Sequence, residues 1–280
     1  MQHKFKGRFA DELSILRRIN SSKKEYPGRK YVTTLLDNFT ITGHHGAHLC
    51  LVSAACGAFK GSIFNSGQKL PVVFVKVIGR QLLFALDYLH RECRIIHTGT
   101  FIVLFSLQIL MASKDLKSDN ILLELFSGNG GWPHVDVIQP YALRAPEVIL
   151  GNGWHTAADI WNLGCLLFEF LTGSWLFSPR GGPTWSAESY HLAHMPVITG
   201  EGFDLEYIRK GKHFEKYFTP EGHLSIQVQN ILNLEQALDA YRVLDDAEKP
   251  LCIDFLKSML RLKPSDRSTA AELLEHSWII

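Results

Sequence analysis

Residues 159–173 constrain the fold of the 280-residue chain most, because they are apolar on nearly every side of a helix. They read Asp-Ile-Trp-Asn-Leu-Gly-Cys-Leu-Leu-Phe-Glu-Phe-Leu-Thr-Gly. A surface helix keeps a polar face, whereas a helix that is apolar all round is buried. Other elements must therefore surround residues 159–173, which predicts a buried helix at the centre of a folded lobe.

Residues 70–94 predict a second long core helix. Pro71 can occupy its first turn, and apolar side chains then recur at helical spacing. These side chains are Val75, Ile78, Leu82, Leu83, Leu86 and Leu89. Residues 8–19 show a weaker form of the same pattern and predict an amphipathic helix near the start of the chain.

Two short β-type runs, residues 31–37 and 48–54, flank the turn-rich residues 42–47. Two such runs around a turn predict a β-hairpin. With the helical patterns that follow, the chain is predicted to be an α+β protein.

Composition excludes several classes of function. The formal net charge is +1, so no overall field favours nucleic acid or an anionic membrane. The most apolar window, residues 101–112, is shorter than the roughly 20 residues that a membrane span needs. The five cysteines show no metal-ligand spacing, and we identify no secretion signal. We therefore expect no membrane and no direct nucleic-acid partner. We also expect a monomer that lies in the cytoplasm, the nucleus or both.

Further motifs follow one another along the chain. Residues 94–98 read Arg-Ile-Ile-His-Thr, and residues 115–123 read Asp-Leu-Lys-Ser-Asp-Asn-Ile-Leu-Leu. Residues 141–151 read Tyr-Ala-Leu-Arg-Ala-Pro-Glu-Val-Ile-Leu-Gly, and residues 251–279 include Lys-Pro-Ser-Asp-Arg. A lone Asp-x-Lys-x-x-Asn is more often a solvated polar loop, so the order of the motifs carries the argument.

In this order the motifs resemble those of eukaryotic protein kinases. Joined, residues 94–98 and 115–123 resemble the catalytic loop in the His-Thr-Asp form of the SR-protein kinases, a CMGC-type serine/threonine kinase family. The resemblance implies a protein-kinase-like two-lobed fold with a truncated N-lobe and a mainly helical C-lobe. Residues 1–55 would be the N-lobe remnant. Residues 56–280 would be the C-lobe, with an atypical apolar insertion at 99–114.

The resemblance also implies roles in ATP- and Mg²⁺-dependent phosphoryl transfer. Asp115 would orient the substrate hydroxyl as the catalytic base, and Lys117 would lie near the transferred phosphate. Asn120 would bind the nucleotide's Mg²⁺. Glu12, on the predicted first helix, would pair with the lysine that clamps the nucleotide.

Four residues would have structural roles by the same resemblance. His97 belongs to the catalytic-loop motif, and Asp159 would hydrogen-bond the backbone of that loop. Arg267 would pair with Glu147, joining the Ala-Pro-Glu helix to the rest of the large lobe. For Asp159 an ordinary helix N-terminal carboxylate is an equally compatible role.

Parts of the family pattern are missing. No G-x-G-x-x-G occurs in the chain, and nothing ahead of the first predicted helix matches a Gly-rich loop with its lysine strand. No Asp-Phe-Gly or Asp-Leu-Gly lies between Asn120 and Glu147, where Asp136 is too close to Glu147 to serve. The insertion also separates His97 from Asp115. We therefore expect this chain to bind Mg-ATP weakly or not at all and to transfer phosphate weakly or not at all.

Three interpretations stay open. The first is a serine/threonine kinase acting on Arg/Ser-rich splicing factors, catalytically impaired in this chain. The second is a non-catalytic pseudokinase that docks peptides, and the third is an incomplete gene-model fragment. Residues 99–114 could be encoded by an unspliced intron. A messenger that retains their codons throughout would refute that hypothesis.

Overall fold

The computed structural model describes residues 13–44, 46–53, 57–58, 68–96, 104–107, 121–124, 141–229 and 231–280. The protein is mixed helix and sheet, with a small two-stranded sheet near the start and a helical large lobe, as predicted. Among the predicted site residues, Glu12, His97, Asp115, Lys117 and Asn120 lie outside the described residues.

The small sheet follows a helix and a short 3-10 turn. Residues 13–21 are helical (α1), and Pro27–Tyr31 form the 3-10 turn. Strands β1 (Leu35–Gly43) and β2 (Gly46–Ser53) pair antiparallel, as the hairpin pattern predicted. Gly46 has a φ of +105°, in the left-handed region that favours glycine, and so permits the tight reversal.

A second sheet contains three short strands in the order β3 (Gly57–Ala58), β5 (Ile121–Glu124), β4 (Leu104–Leu107). β3 runs parallel to β5, and β4 runs antiparallel to it. β4 lies within residues 99–114, the predicted atypical apolar insertion, so part of that insertion forms a strand.

Nine α-helices follow the small sheet in the described part of the large lobe. The predicted core helix is α2 (Val72–Asp87), which continues as a π-helical turn over Tyr88–Cys93. The others are α3 (Pro146–Leu150), α4 (Thr156–Thr172), α5 (Ala187–Thr199), α6 (Leu205–Ile208), α7 (Phe214–Tyr217), α8 (Leu234–Tyr241), α9 (Glu248–Met259) and α10 (Ala270–Leu274).

α4 is the predicted central helix, and it is buried along nearly its whole length. It contacts α2 on one side and α9 on another. Gly164 allows the close approach to α9, since an added Cβ would lie 3.1 Å from the Leu260 side chain. Gly173 ends the helix with a φ of +73°. No helix in the described residues is both long and apolar enough to cross a bilayer.

Candidate functional site

A buried ion pair joins α3 to the C-terminal segment. Pro146 opens α3, and the next residue, Glu147, is 1% exposed, while Arg267 is 6% exposed. The guanidinium donates from Nη1 and Nη2 to the two carboxylate oxygens at 2.6 and 2.8 Å. This bidentate geometry is the strongest form of a charge-assisted hydrogen bond.

The remaining guanidinium donors of Arg267 are also satisfied. Nε donates to the Arg261 carbonyl at 2.8 Å, and Nη1 donates to the Ala157 carbonyl at 3.0 Å. The guanidinium carbon also lies 5.0 Å from the centre of the Trp161 ring. The Arg267 side chain thus connects α3, the start of α4 and the segment before α10. These additional hydrogen bonds help to offset the cost of removing the buried ion pair from water.

A second polar contact connects α4 to the end of the second core helix. His90 Nε2 lies 2.8 Å from Asp159 Oδ2, and the Asp159 residue is 4% exposed. His90 belongs to the π-helical turn, which ends at Arg94 with a φ of 54°. The Ile95 N–H then donates to the Leu89 carbonyl at 2.9 Å. The contact between His90 and Asp159 therefore ties the π-helical turn to the first turn of α4.

Charged side chains surround the segment just before α3. The Arg144 guanidinium lies 3.8 Å from the centre of the Tyr141 ring and 3.9 Å from the Glu188 carboxylate. Burial opposes ionisation of Glu188, but hydrogen bonds at the start of α5 and the charges of Lys216 and Arg144 outweigh it, so its pKa is lowered. Glu188 is therefore an anion beside Arg144, just before the start of α3, and it can attract cationic groups.

Glu147, Asp159 and Arg267 are thus the predicted site residues that the structure places. It brings Glu147 and Arg267 together, and it places Asp159 against His90, a partner that sequence reasoning missed. A signal for His90 was its position at the end of the apolar pattern of residues 70–94. Within the described ranges, no group of three or more His, Cys, Asp or Glu side chains could hold a metal ion.

Comparison with known proteins identifies the family. Residues 133–279 match the protein kinase domain. A serine/threonine protein kinase of Aspergillus fumigatus is 30% identical over 96% of this chain and 74% of the relative. The serine/threonine-protein kinase SRPK of Physarum polycephalum is 30% identical over 96% of this chain and 75% of the relative.

A third relative matches a shorter part of this chain. The serine/threonine-protein kinase SKY1 of Saccharomyces cerevisiae is 34% identical over 60% of this chain and 23% of the relative. The matched region, the motif order and the helical large lobe agree with one another. The chain therefore belongs to the protein kinase domain family, as a serine/threonine kinase of the SRPK type.

Proposed function

We propose that this chain binds Arg/Ser-rich proteins, such as splicing factors, as its family's substrates, and that its phosphoryl transfer to their serines is impaired. The observation that carries the proposal is the buried pair of Glu147 and Arg267. This pair completes the contact between α3 and the rest of the large lobe. The described part of the large lobe, the half of the domain that would hold a protein substrate, is therefore assembled around this pair.

We infer impaired phosphoryl transfer from a motif that is missing between Asn120 and Glu147. In the family, Mg²⁺ neutralises charge on the transferred phosphate, and an aspartate of Asp-Phe-Gly type is its main ligand. No such motif lies between Asn120 and Glu147. Asp115 would still orient the substrate hydroxyl, Lys117 would approach the phosphate, and Asn120 would bind the metal. The described residues add no metal cluster that could replace the missing ligand.

Nucleotide binding and transfer are measured separately. Thermal unfolding of residues 1–280 with and without Mg-ATP tests binding, because a ligand that binds the folded state raises the melting temperature. Transfer of labelled phosphate to an Arg/Ser-repeat peptide tests activity, with the Physarum SRPK as comparator and an Arg/Ala peptide as blank. We expect a cooperative melt that Mg-ATP shifts little, and turnover lower by at least about 100-fold than that of the comparator.

One variant, with Asp115 replaced, controls the transfer assay. Asp115→Asn should abolish any residual transfer without changing the melt, which would assign that transfer to this chain. Turnover equal to that of the comparator would contradict the impairment, and a melt without a cooperative transition would contradict an assembled large lobe.

A second candidate function is non-catalytic peptide docking. The ionised carboxylate of Glu188 beside α3 favours it, since it could attract the guanidinium groups of an Arg/Ser-rich peptide. Fluorescence anisotropy of a labelled Arg/Ser peptide without nucleotide would measure this binding. Glu188→Gln should weaken binding several-fold if the carboxylate contributes, whereas the exposed Glu206→Gln should leave it unchanged.

A further inference from the structure

The loop between α1 and the 3-10 turn is bound to the large-lobe helix α2 by a side-chain hydrogen bond. The Tyr26 hydroxyl donates to Asp87 Oδ2. These residues are distant in sequence, and Asp87 lies in the last turn of α2, where it is 7% exposed. A carboxylate with so little water around it depends on protein donors for its stability.

Asp87 divides its two oxygens between two partners. Oδ1 faces Arg91 of the following turn at 3.6 Å, and Oδ2 accepts from Tyr26. Arg91 belongs to the continuation of the same helix, so it cannot hold another element in place. Tyr26 can, because it lies beyond the end of α1. Burial and the bond to Asp87 raise the pKa of Tyr26 to about 12, so its hydroxyl keeps the donated proton at physiological pH.

Three neighbouring contacts hold the segment from α1 to the 3-10 turn closely against α2 and its π-helical continuation. The Tyr26 and Tyr88 rings lie 5.6 Å apart, and the Tyr88 hydroxyl donates at 3.0 Å to the Ile19 carbonyl of α1. A Cβ added at Gly28 would lie 1.8 Å from the Phe84 carbonyl oxygen, so the backbone of the 3-10 turn that follows the loop lies directly against that of α2. The end of α1 therefore has little freedom to move along α2 while Tyr26 stays bound.

We propose that Tyr26 is a positioning residue whose hydrogen bond to Asp87 fixes α1 against α2. Glu12 directly precedes the described part of α1. In the family this glutamate would align the lysine that clamps the nucleotide, so the inference rests on the proposed function where it concerns Mg-ATP. The Tyr26–Asp87 contact thereby couples the helix next to the nucleotide site to the large lobe. Loss of the Tyr26 hydroxyl should therefore loosen α1 more than it lowers the stability of the whole fold.

Hydrogen exchange of the full chain tests the mechanical part of the proposal without nucleotide. Tyr26→Phe removes only the donating oxygen. Loss of a hydrogen bond to a charged acceptor should speed exchange of the amides in residues 13–21 by about 10- to 100-fold. The amides of α4 should change by less than about 3-fold. Asp87→Ala combined with Tyr26→Phe should add little further effect on exchange in α1, because both substitutions remove the same bond.

Tyr31→Phe is the matched control. The Tyr31 ring stacks on Phe84 of α2 at 6.0 Å, and none of the described residues hydrogen-bonds its hydroxyl. It should leave exchange of residues 13–21 unchanged. Unchanged exchange in Tyr26→Phe, or an equal rise in α1 and α4, would overturn the inference, since the residue would then be neutral or only a general stabiliser.

The second readout is Mg-ATP affinity by the melting shift. If the wild type responds to Mg-ATP, Tyr26→Phe should weaken that affinity at least about 5-fold relative to Tyr31→Phe. Equal affinity in the two variants would overturn the positioning role. If the wild type does not respond, which agrees with the impairment proposed above, the exchange experiment alone decides whether Tyr26 holds α1.

Discussion

Glu147 and Arg267 are almost fully buried, so each charge depends on the other for compensation. Breaking such a pair leaves one uncompensated charge in the interior. Glu147→Gln should therefore lower the free energy of unfolding by about 3–5 kcal/mol, measured by urea denaturation at pH 7.5.

Glu206→Gln is the matched control, because the pair of Glu206 and Lys210 is exposed. It should change the free energy of unfolding by less than about 0.5 kcal/mol. A double variant, Glu147→Met with Arg267→Met, should lose less than the sum of the single variants, since neither charge is left behind. A Glu147→Gln effect as small as that of the control would contradict a stabilising pair.

Because His191 is buried, we predict that the protein loses free energy of unfolding in weak acid. Burial first, and then the nearby charges of His194 and Arg144, lower the pKa of His191 from 6.5 to about 3. The unfolded chain therefore takes up the proton first. The stability that the neutral ring contributes is complete above about pH 6.5 and is lost as the pH falls toward 3. Between pH 7.5 and 5.5 this residue should account for a loss of about 1 kcal/mol.

His191→Leu isolates that contribution. Neither ring nitrogen of His191 has a hydrogen-bond partner among the described residues, so leucine should fill the site without leaving a donor unpaired. Urea denaturation at the two pH values should show a smaller loss in the variant than in the wild type. Equal losses would mean that His191 does not titrate as its burial implies.

At the residue scale, the sequence was informative where a motif carries the side chain. Glu147 and Arg267 could be named because Ala-Pro-Glu and the C-terminal segment are each recognisable. His90, Tyr26 and His191 could not, because their roles come from partners that only the folded chain brings near. A local pattern describes the spacing along one element, and it contains no information about which side chain of another element will lie opposite.

At the scale of elements, strand β4 places residues 104–107 of the predicted insertion in the second sheet. Leu104–Leu107 pairs with the whole of β5, and the same strand contacts α2 and the 3-10 turn Pro27–Tyr31. Ile121, the first residue of β5, directly follows Asn120 and lies between β3 and β4. Deleting residues 99–114 should therefore expose an edge of β5 and lower the melting temperature by several degrees.

Calorimetry of the deletion variant measures this, with Mg-ATP present in a second scan. A higher melting temperature, together with a new Mg-ATP shift, would contradict the structural role of β4. It would instead support the hypothesis that the insertion interrupts a kinase catalytic loop.

The elements themselves were predicted well where one strong period extends over many residues. The central helix was expected at 159–173 and is observed as Thr156–Thr172, and the hairpin formed at the predicted turn. Residues 70–94 proved less regular, because α2 gives way to a π-helical turn at Tyr88. Apolar spacing alone does not distinguish a widened turn from a continuing α-helix, since both bury the same side chains.

At the scale of the whole molecule, the last residues of the chain close the large lobe. Trp278 is fully buried, and its Nε1 donates to Glu248 of α9 at 2.9 Å. The same carboxylate accepts from Lys76 of α2 at 2.7 Å. Ile279 packs toward Gly79 of α2. The chain end therefore bridges two helices, α2 and α9, that both contact the central helix.

Removing residues 276–280 should destabilise the entire lobe and not just its end. Loss of a buried tryptophan costs about 3–5 kcal/mol, and α2 and α9 lose the bridge between them. We expect a single unfolding transition at a lower urea midpoint, with faster hydrogen exchange throughout α2 and α4. Removing Ile280 alone is the control, because its side chain is 73% exposed, and it should leave the midpoint unchanged. If the truncation speeds hydrogen exchange only within α10, the prediction is wrong. Residues 276–280 would then stabilise only their own surroundings, and the central helix would hold the lobe together without them.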